Sequence, residues 1–410
     1  MNRPTVLEVH LHETLIGTLT LLPGDRTIFA FDPAYVESSN RPTLSLSFKS
    51  QSGDLLTDLP PTQTRVPAFF SNLLPEGALR SYLAGRAKVN EKREFFLLWA
   101  LGLDLPGAIT IVPADGQTLP AAQEDRAAAE NARAHDGMLR FSLAGVQLKF
   151  SAVAQARGGL TVAAEGVGGS WIVKLPSLEF AGVPENEYSM MTLARAVGID
   201  VPAVRLVKLS SIAGLPQELT RLTGSALAVE RFDRSAGGGK VHIEDFAQVF
   251  ALYPEQKYQR ASYRNLAEVI WIEAGEAGIT EFIRRLVFNT LIGNADMHLK
   301  NWSLIYPNQR DAALAPAYDF VSTIAYLADQ NLALKLGRSK RMQDVSIPAL
   351  IELAAKAQLP QALVVDAARE MVQRFLEHWP RERSHLPIDG TFIKTMDAHL
   401  RRLPQLTRLK

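Results

Sequence analysis

The hydrophobic pattern of this 410-residue chain changes along its length, and these changes restrict the folds that it can form. Between residues 5 and 48, the short runs VLEVHL, TLIGTLTLL, TIFAF and TLSLSF predict β-strands. Between residues 66 and 101 the period becomes helical, which predicts three short helices, the second beginning near Pro75. The run GAITIVP then predicts one more strand. Residues 1–112 are therefore expected to form a β-rich first domain with short helices.

Behind this domain the pattern changes again. Residues 113–138 are rich in Ala, Glu, Asp, Gln and Arg without an apolar face, which predicts a solvated linker. From 139 to 232 strand patterns return around one amphipathic helix, ENEYSMMTLARAVGI, and from 233 to 410 the chain is mostly helical. A β-rich lobe followed by a helical lobe is the arrangement of a protein kinase. We therefore expect an α+β, two-lobed, protein-kinase-like fold preceded by a small β-rich subdomain.

Charge and composition exclude several classes of protein. The chain carries 44 Lys and Arg residues against 43 Asp and Glu, so no global charge attracts it to nucleic acid. It contains no cysteine, which excludes disulfides, thiolate zinc sites and cysteine nucleophiles. The N-terminus lacks the apolar core of a signal peptide, and no apolar run is long enough to span a bilayer. We expect a soluble, cytoplasmic protein without membrane contact.

The segment from Asn289 to Asn301, NTLIGNADMHLKN, carries the strongest functional signal. It begins as the end of a helical run, breaks at Gly293 and becomes a polar loop. Asp296 and Asn301 have the spacing of the catalytic loop of protein kinases, in which the Asp accepts the proton of the attacking hydroxyl and the Asn holds magnesium. This spacing is frequent by chance, so its weight depends on the other parts of a kinase.

Those parts follow in the expected order. Lys174, in the predicted strand WIVKLP, points to an apolar face and therefore needs a partner. Glu187 in the next helix is the predicted partner, with Glu185 as the alternative. Asp319 precedes a phenylalanine, as in the Asp-Phe-Gly of kinases, and would be the second magnesium ligand. The ordered set Lys, Asp-x4-Asn and Asp-Phe predicts a kinase-like site.

Other candidates are less specific. The segment 142–147, SLAGVQ, contains small residues that permit a close backbone approach to phosphate, although alone it is an ordinary turn. Residues 230–232 could present backbone groups and an aromatic ring to adenine, although a strand end with surface ion pairs explains these residues better when they are taken alone. His298 has no second histidine at a useful spacing, which disfavours a zinc site. Lys300 is interpreted as a phosphate or transition-state contact in the same loop.

Together these residues resemble the HipA-type serine/threonine kinases, the toxin components of bacterial toxin–antitoxin pairs. The resemblance covers nearly the whole chain and rests on RPTLSLSF, FFSNLLPEG, GAITIVP, FSLAGVQLKF, IVKLP, ENEY, AVERFDR, GNADMHLKN and AYDF. Two positions depart from the family pattern. Leu148 stands where a charged residue is common, and Met297 where a small one is common. Neither departure removes a catalytic group, but both leave the choice of substrate open.

The resemblance implies a role for each site residue. Asp296 would be the catalytic base, Asn301 and Asp319 the magnesium ligands, and Lys174, paired with Glu187, a contact to the ATP phosphates. The remaining residues implied to bind ATP are Ala144, Gly145, Val146, Gln147, Leu148, Lys149, Glu230, Arg231, Phe232, His298, Leu299, Lys300 and Tyr318, together with Asn301 and Asp319 themselves.

The resemblance also implies regulation. Ser142 matches the serine that these kinases autophosphorylate, a modification that moves the phosphate loop out of place and switches the kinase off. A dianionic phosphate beside the phosphates of ATP would be repelled, which gives this switch a physical basis.

The resemblance further implies partners. The substrate class is an aminoacyl-tRNA synthetase, such as the glutamyl enzyme, whose phosphorylation stops translation and leaves a growth-arrested, persistent cell. A HipB-like helix-turn-helix antitoxin would carry the kinase onto operator DNA, and the near-neutral charge fits this indirect association. Two other functions stay open: a catalytically weak regulator that acts through antitoxin and operator, and a kinase of small molecules.

Overall fold

The computed structural model describes most of the chain, in stretches separated by gaps. The described residues are 5–114, 149–154, 160–162, 169–177, 179–215, 219, 222–235, 237–327 and 331–407. The predicted phosphate loop up to Leu148, the serine at 142 and nearly all of the predicted linker lie outside these residues.

The first domain is a five-stranded antiparallel sheet with short helices packed on it. The strands, in the spatial order β4-β3-β2-β1-β5, are β1 (Thr5–Leu11), β2 (Thr14–Leu22), β3 (Arg26–Phe31), β4 (Thr62–Gln63) and β5 (Ile109–Pro113). The helices are α1 (Pro33–Glu37), α2 (Ala68–Ser71), α3 (Gly77–Ala87) and α4 (Glu94–Leu101). Alternation places Leu7, Val9 and Leu11 of β1 in a closed apolar core.

One predicted strand of this domain is wrong. The segment TLSLSF does not join the sheet but ends in a 3-10 turn at Leu46–Phe48. Its backbone is bonded to the helical lobe instead, since the Thr43 N–H donates to the Gln309 carbonyl at 2.8 Å and the Leu46 N–H to the Glu244 carboxylate at 3.0 Å. Burial does not alternate along this segment either, since the consecutive residues Thr43, Leu44 and Ser45 are all buried against another lobe rather than a neighbouring strand.

The second body begins with a six-stranded sheet and one long helix. Its strands lie in the order β10-β7-β6-β8-β11-β9, and all neighbours are antiparallel except β10 and β7. They are β6 (Lys149–Ala154), β7 (Leu160–Val162), β8 (Trp171–Lys174), β9 (Val204–Lys208), β10 (Ile212–Ala213) and β11 (Ser225–Glu230), with helix α5 at Val183–Ala196. Leu79 and Tyr82 of α3 pack against the core of this sheet, which joins it to the first domain.

The rest of the chain forms the helical lobe. Its helices are α6 (Phe246–Val249), α7 (Tyr263–Ile292), α8 (Ile347–Lys356), α9 (Gln361–Glu382), α10 (Gly390–Arg401) and α11 (Pro404–Thr407). It also contains strands that the helical pattern did not indicate: β12 (His242–Asp245), β13 (Ser303–Tyr306), β14 (Ala313–Leu314), β15 (Asn331–Leu336) and β16 (Ser339–Arg341). The expected two-lobed α+β architecture is confirmed. No helix in the described stretches has the length and apolarity that a bilayer crossing requires.

A buried carboxylate marks the contact between the first domain and the helical lobe. Glu244 on β12 is fully buried and accepts hydrogen bonds from the Ser45 hydroxyl at 2.5 Å, from the Leu46 N–H and from the Tyr306 hydroxyl. Burial, only partly offset by these donors, raises the pKa of this carboxyl from 4.5 to about 7.

This shift makes the stability of the domain contact depend on pH. Because the folded pKa is the higher one, the contribution of Glu244 is fully present below pH 4.5 and is lost as the pH rises through about 7. Between pH 6 and pH 8 we expect it to remove about 1 kcal/mol from the free energy of unfolding. Urea unfolding at the two pH values measures this loss. Glu244→Gln should remove the slope that this residue contributes, and an identical slope in variant and wild type would contradict the assignment.

Candidate active site

The loop that follows α7 is fixed by its own polar side chains. Gly293 ends the helix in the left-handed conformation, with φ of 66°, which a residue with a Cβ adopts at a cost. The Asn294 amide oxygen then accepts the Asp296 N–H at 2.9 Å. The Asp296 carbonyl accepts both the His298 N–H at 2.7 Å and the Asn301 side-chain amide at 2.8 Å. Asp296 and Asn301 are thus held in one small, preorganised turn.

The Asp296 carboxylate is accessible to solvent, and among the described residues it has one protein donor. Tyr258 donates its hydroxyl to Oδ1 of this carboxylate. The surrounding protein partly removes water from the Asp296 carboxyl, and this desolvation raises its pKa. The hydrogen bond from Tyr258 partly opposes the rise. Because an ionised carboxylate offers two oxygens and one is taken, Oδ2 is left for a further donor.

A second group of charges connects the sheet, α5 and the helical lobe. The ammonium group of Lys174, at the end of β8, contacts Oε1 of Glu187 on α5 and Oδ1 of Asp319. Lys149, the first residue of β6, lies 3.2 Å from the other oxygen of Asp319. The structure therefore brings two lysines and two carboxylates together, and of the two glutamates considered for Lys174 it is Glu187 that makes the contact. Their formal charges cancel.

The protonation of this group follows from its geometry. Burial acts to raise the pKa of Asp319, but Lys149 and Lys174 together hold it well below its ordinary value. Burial likewise acts to lower the pKa of Lys174, and the two carboxylates more than offset it. Asp319 is therefore ionised at neutral pH. It also occupies the left-handed region, with φ of 57°. This conformation is uncommon for a non-glycine residue, and residues that adopt it cluster at functional sites.

The charges of this group also act on Asp296. The negative charge of Asp319 raises the pKa of Asp296 and the positive charge of Lys149 lowers it. The loop carboxylate and the charge group thus belong to one electrostatic environment.

The connection between the lobes carries an aromatic pair. Phe232, just after β11, lies against the ring of Tyr318, with ring centroids 5.7 Å apart and planes at 31°. The Tyr318 hydroxyl donates to the Lys300 carbonyl at 2.9 Å. The Glu230 N–H is bonded to the Ala203 carbonyl at 2.8 Å, so an adenine would meet the connection at other backbone groups and at these rings.

Arg231 is turned away from this aromatic pair. Its buried guanidinium bonds Asp233 and, in the first domain, Asp104, each at 2.9 Å. The backbone N–H of Arg231 donates to the Ser170 carbonyl at 2.8 Å. The side chain of Arg231 is therefore part of a domain contact, and its carbonyl already accepts the Arg234 N–H at 3.3 Å.

The residues around Lys300 also differ from the prediction. Lys300 points to Asp245 at 2.7 Å and to the carbonyl and amide oxygens of Asn72 at 3.1 and 3.0 Å. These three acceptors use its three donors, so in this conformation no N–H is left for a phosphate. Leu299 is wholly buried in the core, and a wholly buried apolar side chain cannot contact a nucleotide in the cleft.

His298 is buried as a neutral ring. Burial, with help from the charge of Lys257, lowers the pKa of His298 to about 3. Its ring meets the ring of Tyr258 edge-on, with centroids 4.9 Å apart. His298 therefore packs against Tyr258, the residue that contacts Asp296, and it contributes no positive charge to a nucleotide site.

Asn301 and Asp319 are the protein groups suited to a divalent cation. Asp319 is ionised, and the amide nitrogen of Asn301 is engaged with the Asp296 carbonyl, which turns the amide oxygen the other way. Carboxylate and amide oxygens suit magnesium. Within the described ranges no group of three or more His, Asp or Glu side chains is placed to hold a metal, so a cation here would take its other ligands from phosphate and water.

Sequence reasoning missed the residues that surround the loop from outside. Tyr258 lies 38 positions before Asp296, and Asn72 lies 228 positions before Lys300. Neither stands in a recognisable spacing to its partner, since both contacts arise only from the tertiary fold. A weak signal was available in FFSNLLPEG, a polar turn inside an apolar segment of the first domain.

Comparison with known proteins identifies two family domains in this chain. Residues 7–112 match the model of the HipA N-terminal domain, and residues 141–379 that of the HipA-like C-terminal domain. A putative kinase of Sinorhizobium fredii, Y4dM, is 54% identical over 402 residues, covering 97% of each chain. The serine/threonine-protein kinase toxin HipA of Shewanella oneidensis is 29% identical over 80% of this chain and 78% of its own.

A solved structure shows the same fold. It contains HipA of Shewanella oneidensis MR-1 with HipB and operator DNA, and it matches with a TM-score of 0.74 at 24% identity, over 98% of this chain and 100% of the other. With both family domains present in order, this chain belongs to the HipA family of kinases.

Proposed function

We propose that this protein is an ATP- and magnesium-dependent serine/threonine kinase that acts as the toxin of a toxin–antitoxin pair. The observation that carries the proposal is the joining of Lys174, Glu187 and Asp319 in one charge group that shares its electrostatic environment with Asp296. A paired buried lysine, an ionised aspartate and a loop carboxylate are the groups that phosphoryl transfer requires.

Each residue has a defined task in this mechanism. Lys174 and Lys149 bind phosphate oxygens of ATP, and Glu187 keeps Lys174 charged and oriented. Asp319 and Asn301 would hold magnesium, which neutralises the charge that develops on the phosphates.

The transfer itself uses the loop carboxylate. Oδ2 of Asp296 accepts the proton of a serine or threonine hydroxyl. The hydroxyl oxygen bonds to the γ-phosphorus, and the bond between that phosphorus and the leaving oxygen of ADP breaks.

For the substrate we propose an aminoacyl-tRNA synthetase, with the glutamyl enzyme as the first candidate. The support is family membership and the name of the Shewanella relative, a serine/threonine-protein kinase toxin. For the partner we propose a HipB-like antitoxin that bridges the kinase to operator DNA, because the structural match is a complex of HipA, HipB and operator. Phosphoproteomics after induced expression identifies the substrate and separates protein phosphorylation from transfer to a small molecule.

The test of the proposed activity is transfer of label from γ-labelled ATP in the presence of magnesium. Wild type is expected to label a protein in a bacterial lysate, and then the purified synthetase, whereas Asp296→Asn is expected to do so at least about a hundredfold more slowly. Equal labelling by both proteins would remove Asp296 from the mechanism. Label in free metabolites only would replace the protein substrate with a small molecule.

Autophosphorylation gives a separate prediction. Ser142 lies in SLAGVQ, the segment proposed to cover the ATP phosphates, and a phosphate there would repel those of ATP. Mass spectrometry of the protein after incubation with ATP is expected to find phosphate on Ser142, with a parallel loss of activity toward substrate. Full incorporation at Ser142 without loss of activity would contradict self-inactivation.

A further inference from the structure

A short turn of the first domain lies against the catalytic loop. It connects α2 to α3 and spans residues 72–76, reading NLLPE. Asn72 receives Lys300 of the loop on two oxygens, at 3.0 and 3.1 Å. Glu76 lies 2.7 Å from Lys257 and 3.8 Å from Lys300. This turn therefore contacts the catalytic loop at Lys300 and the neighbouring segment at Lys257.

The Asn72 side chain is held in place by its own hydrogen bonds. The side chain is 5% exposed, and its amide nitrogen donates to the carbonyls of Ala68 at 2.8 Å and Leu252 at 2.7 Å. Since both amide hydrogens are used, the amide oxygen is fixed in the direction of Lys300. Lys300 is four residues after Asp296, so the far end of the catalytic loop is anchored on the first domain.

The Glu76 contact reaches the near end of the loop. Lys257, which Glu76 holds, is followed directly by Tyr258, the donor to the Asp296 carboxylate. The carbonyl of Lys257 also accepts the Leu299 N–H at 3.2 Å. Fixing Lys257 therefore fixes the backbone that carries Tyr258 and, with it, the rotamer of Asp296.

We propose that Asn72 and Glu76 are positioning residues of the kinase, through which the first domain holds the catalytic base in its productive orientation. This inference rests on the proposed kinase function and assigns the first domain a part in catalysis. The first domain touches the helical lobe elsewhere too, as where the Thr43 hydroxyl donates to the Arg310 carbonyl at 2.9 Å. That bond joins the same two bodies without reaching the catalytic loop, so it provides a matched control.

The experiment compares Glu76→Gln and Asn72→Ala with Thr43→Val in the full-length protein. Small displacements of catalytic groups cost large factors in rate. We therefore expect kcat for label transfer from γ-labelled ATP to fall about tenfold or more in Glu76→Gln and in Asn72→Ala. KM for ATP should change less than about twofold, because Lys174 and Asp319 are untouched. Thr43→Val should keep kcat within about twofold of wild type. Equal losses in all three variants, or none in the first two, would overturn the proposal.

Hydrogen exchange gives a second readout that does not depend on activity. Amides of residues 294–301 are expected to exchange faster in Glu76→Gln than in wild type, while exchange in Thr43→Val stays unchanged there. Unaltered exchange in Glu76→Gln would overturn the positioning role even if the protein proved inactive. Absence of any transfer by wild type would instead overturn the proposed kinase function, which keeps the two failures distinct.

Discussion

Replacing Lys174 with methionine is expected to abolish phosphoryl transfer and to lower the free energy of unfolding by about 3–5 kcal/mol. Lys174 is 4% exposed and Glu187 1%, so the substitution leaves one buried carboxylate without its cation and close to a second one. Two neighbouring carboxylates cannot both stay ionised without cost. The loss of activity follows because the phosphates lose their buried cation. Urea unfolding and label transfer measure the two effects.

Two further variants separate charge from packing at this position. Lys149 also pairs with Asp319 but leaves 41% of its side chain exposed, so Lys149→Met should cost no more than about 1 kcal/mol in stability. Combining Lys174→Met with Glu187→Leu removes both members of the buried pair and should recover most of the lost stability but none of the activity. If Lys174→Met alone proved as stable as wild type, Lys174 would not be buried as described.

Replacing Asp296 with asparagine is expected to reduce the rate of phosphoryl transfer by about 10²–10⁴-fold, the range that a positioned general base contributes. The amide keeps an oxygen to accept the Tyr258 hydroxyl, and the backbone contacts of the loop are unchanged. Nucleotide affinity and thermal stability should therefore stay close to those of wild type. Single-turnover transfer measures the chemical step, and equilibrium binding of a nucleotide measures affinity.

The matched control for this prediction is Asp311→Asn. Asp311 is an exposed carboxylate in the turn between β13 and β14, bonded to Asn308 at 2.8 Å. The substitution makes the same chemical change in the same lobe, away from the charge group, and activity should not change. A rate for Asp296→Asn equal to that of Asp311→Asn would show that another group accepts the proton.

The sequence predicted features that depend on neighbours along the chain. The alternation of β8 indicated that Lys174 faces inward, and a glutamate early in the next helix was its predicted partner; the structure has the two in contact. The break after α7 indicated the loop. In each case the spacing within one element, or between adjacent elements, carried the information.

Features that depend on distant partners were not predictable in this way. Lys300 was expected at a phosphate, but its partner Asn72 comes from another domain. Arg231 was expected at a nucleotide, but its guanidinium is bound to Asp104, 127 positions earlier in the chain. TLSLSF had the alternation of a strand, which indicates a buried face without indicating what covers it.

The network around Arg231 also limits how the two lobes can move. Arg231 and Arg234 both bind Asp104 of the first domain, at 2.9 and 3.0 Å, and Asp233 lies between them. Kinase-like enzymes admit and release nucleotide by domain closure, with hinges at a few loop residues. In this protein the first domain restrains such a hinge. A rotation about residues 231–234 would separate Arg231 and Arg234 from Asp104 and leave these buried charges without partners. We therefore expect the angle between the two lobes to change little, because any larger rotation would separate these buried ion pairs.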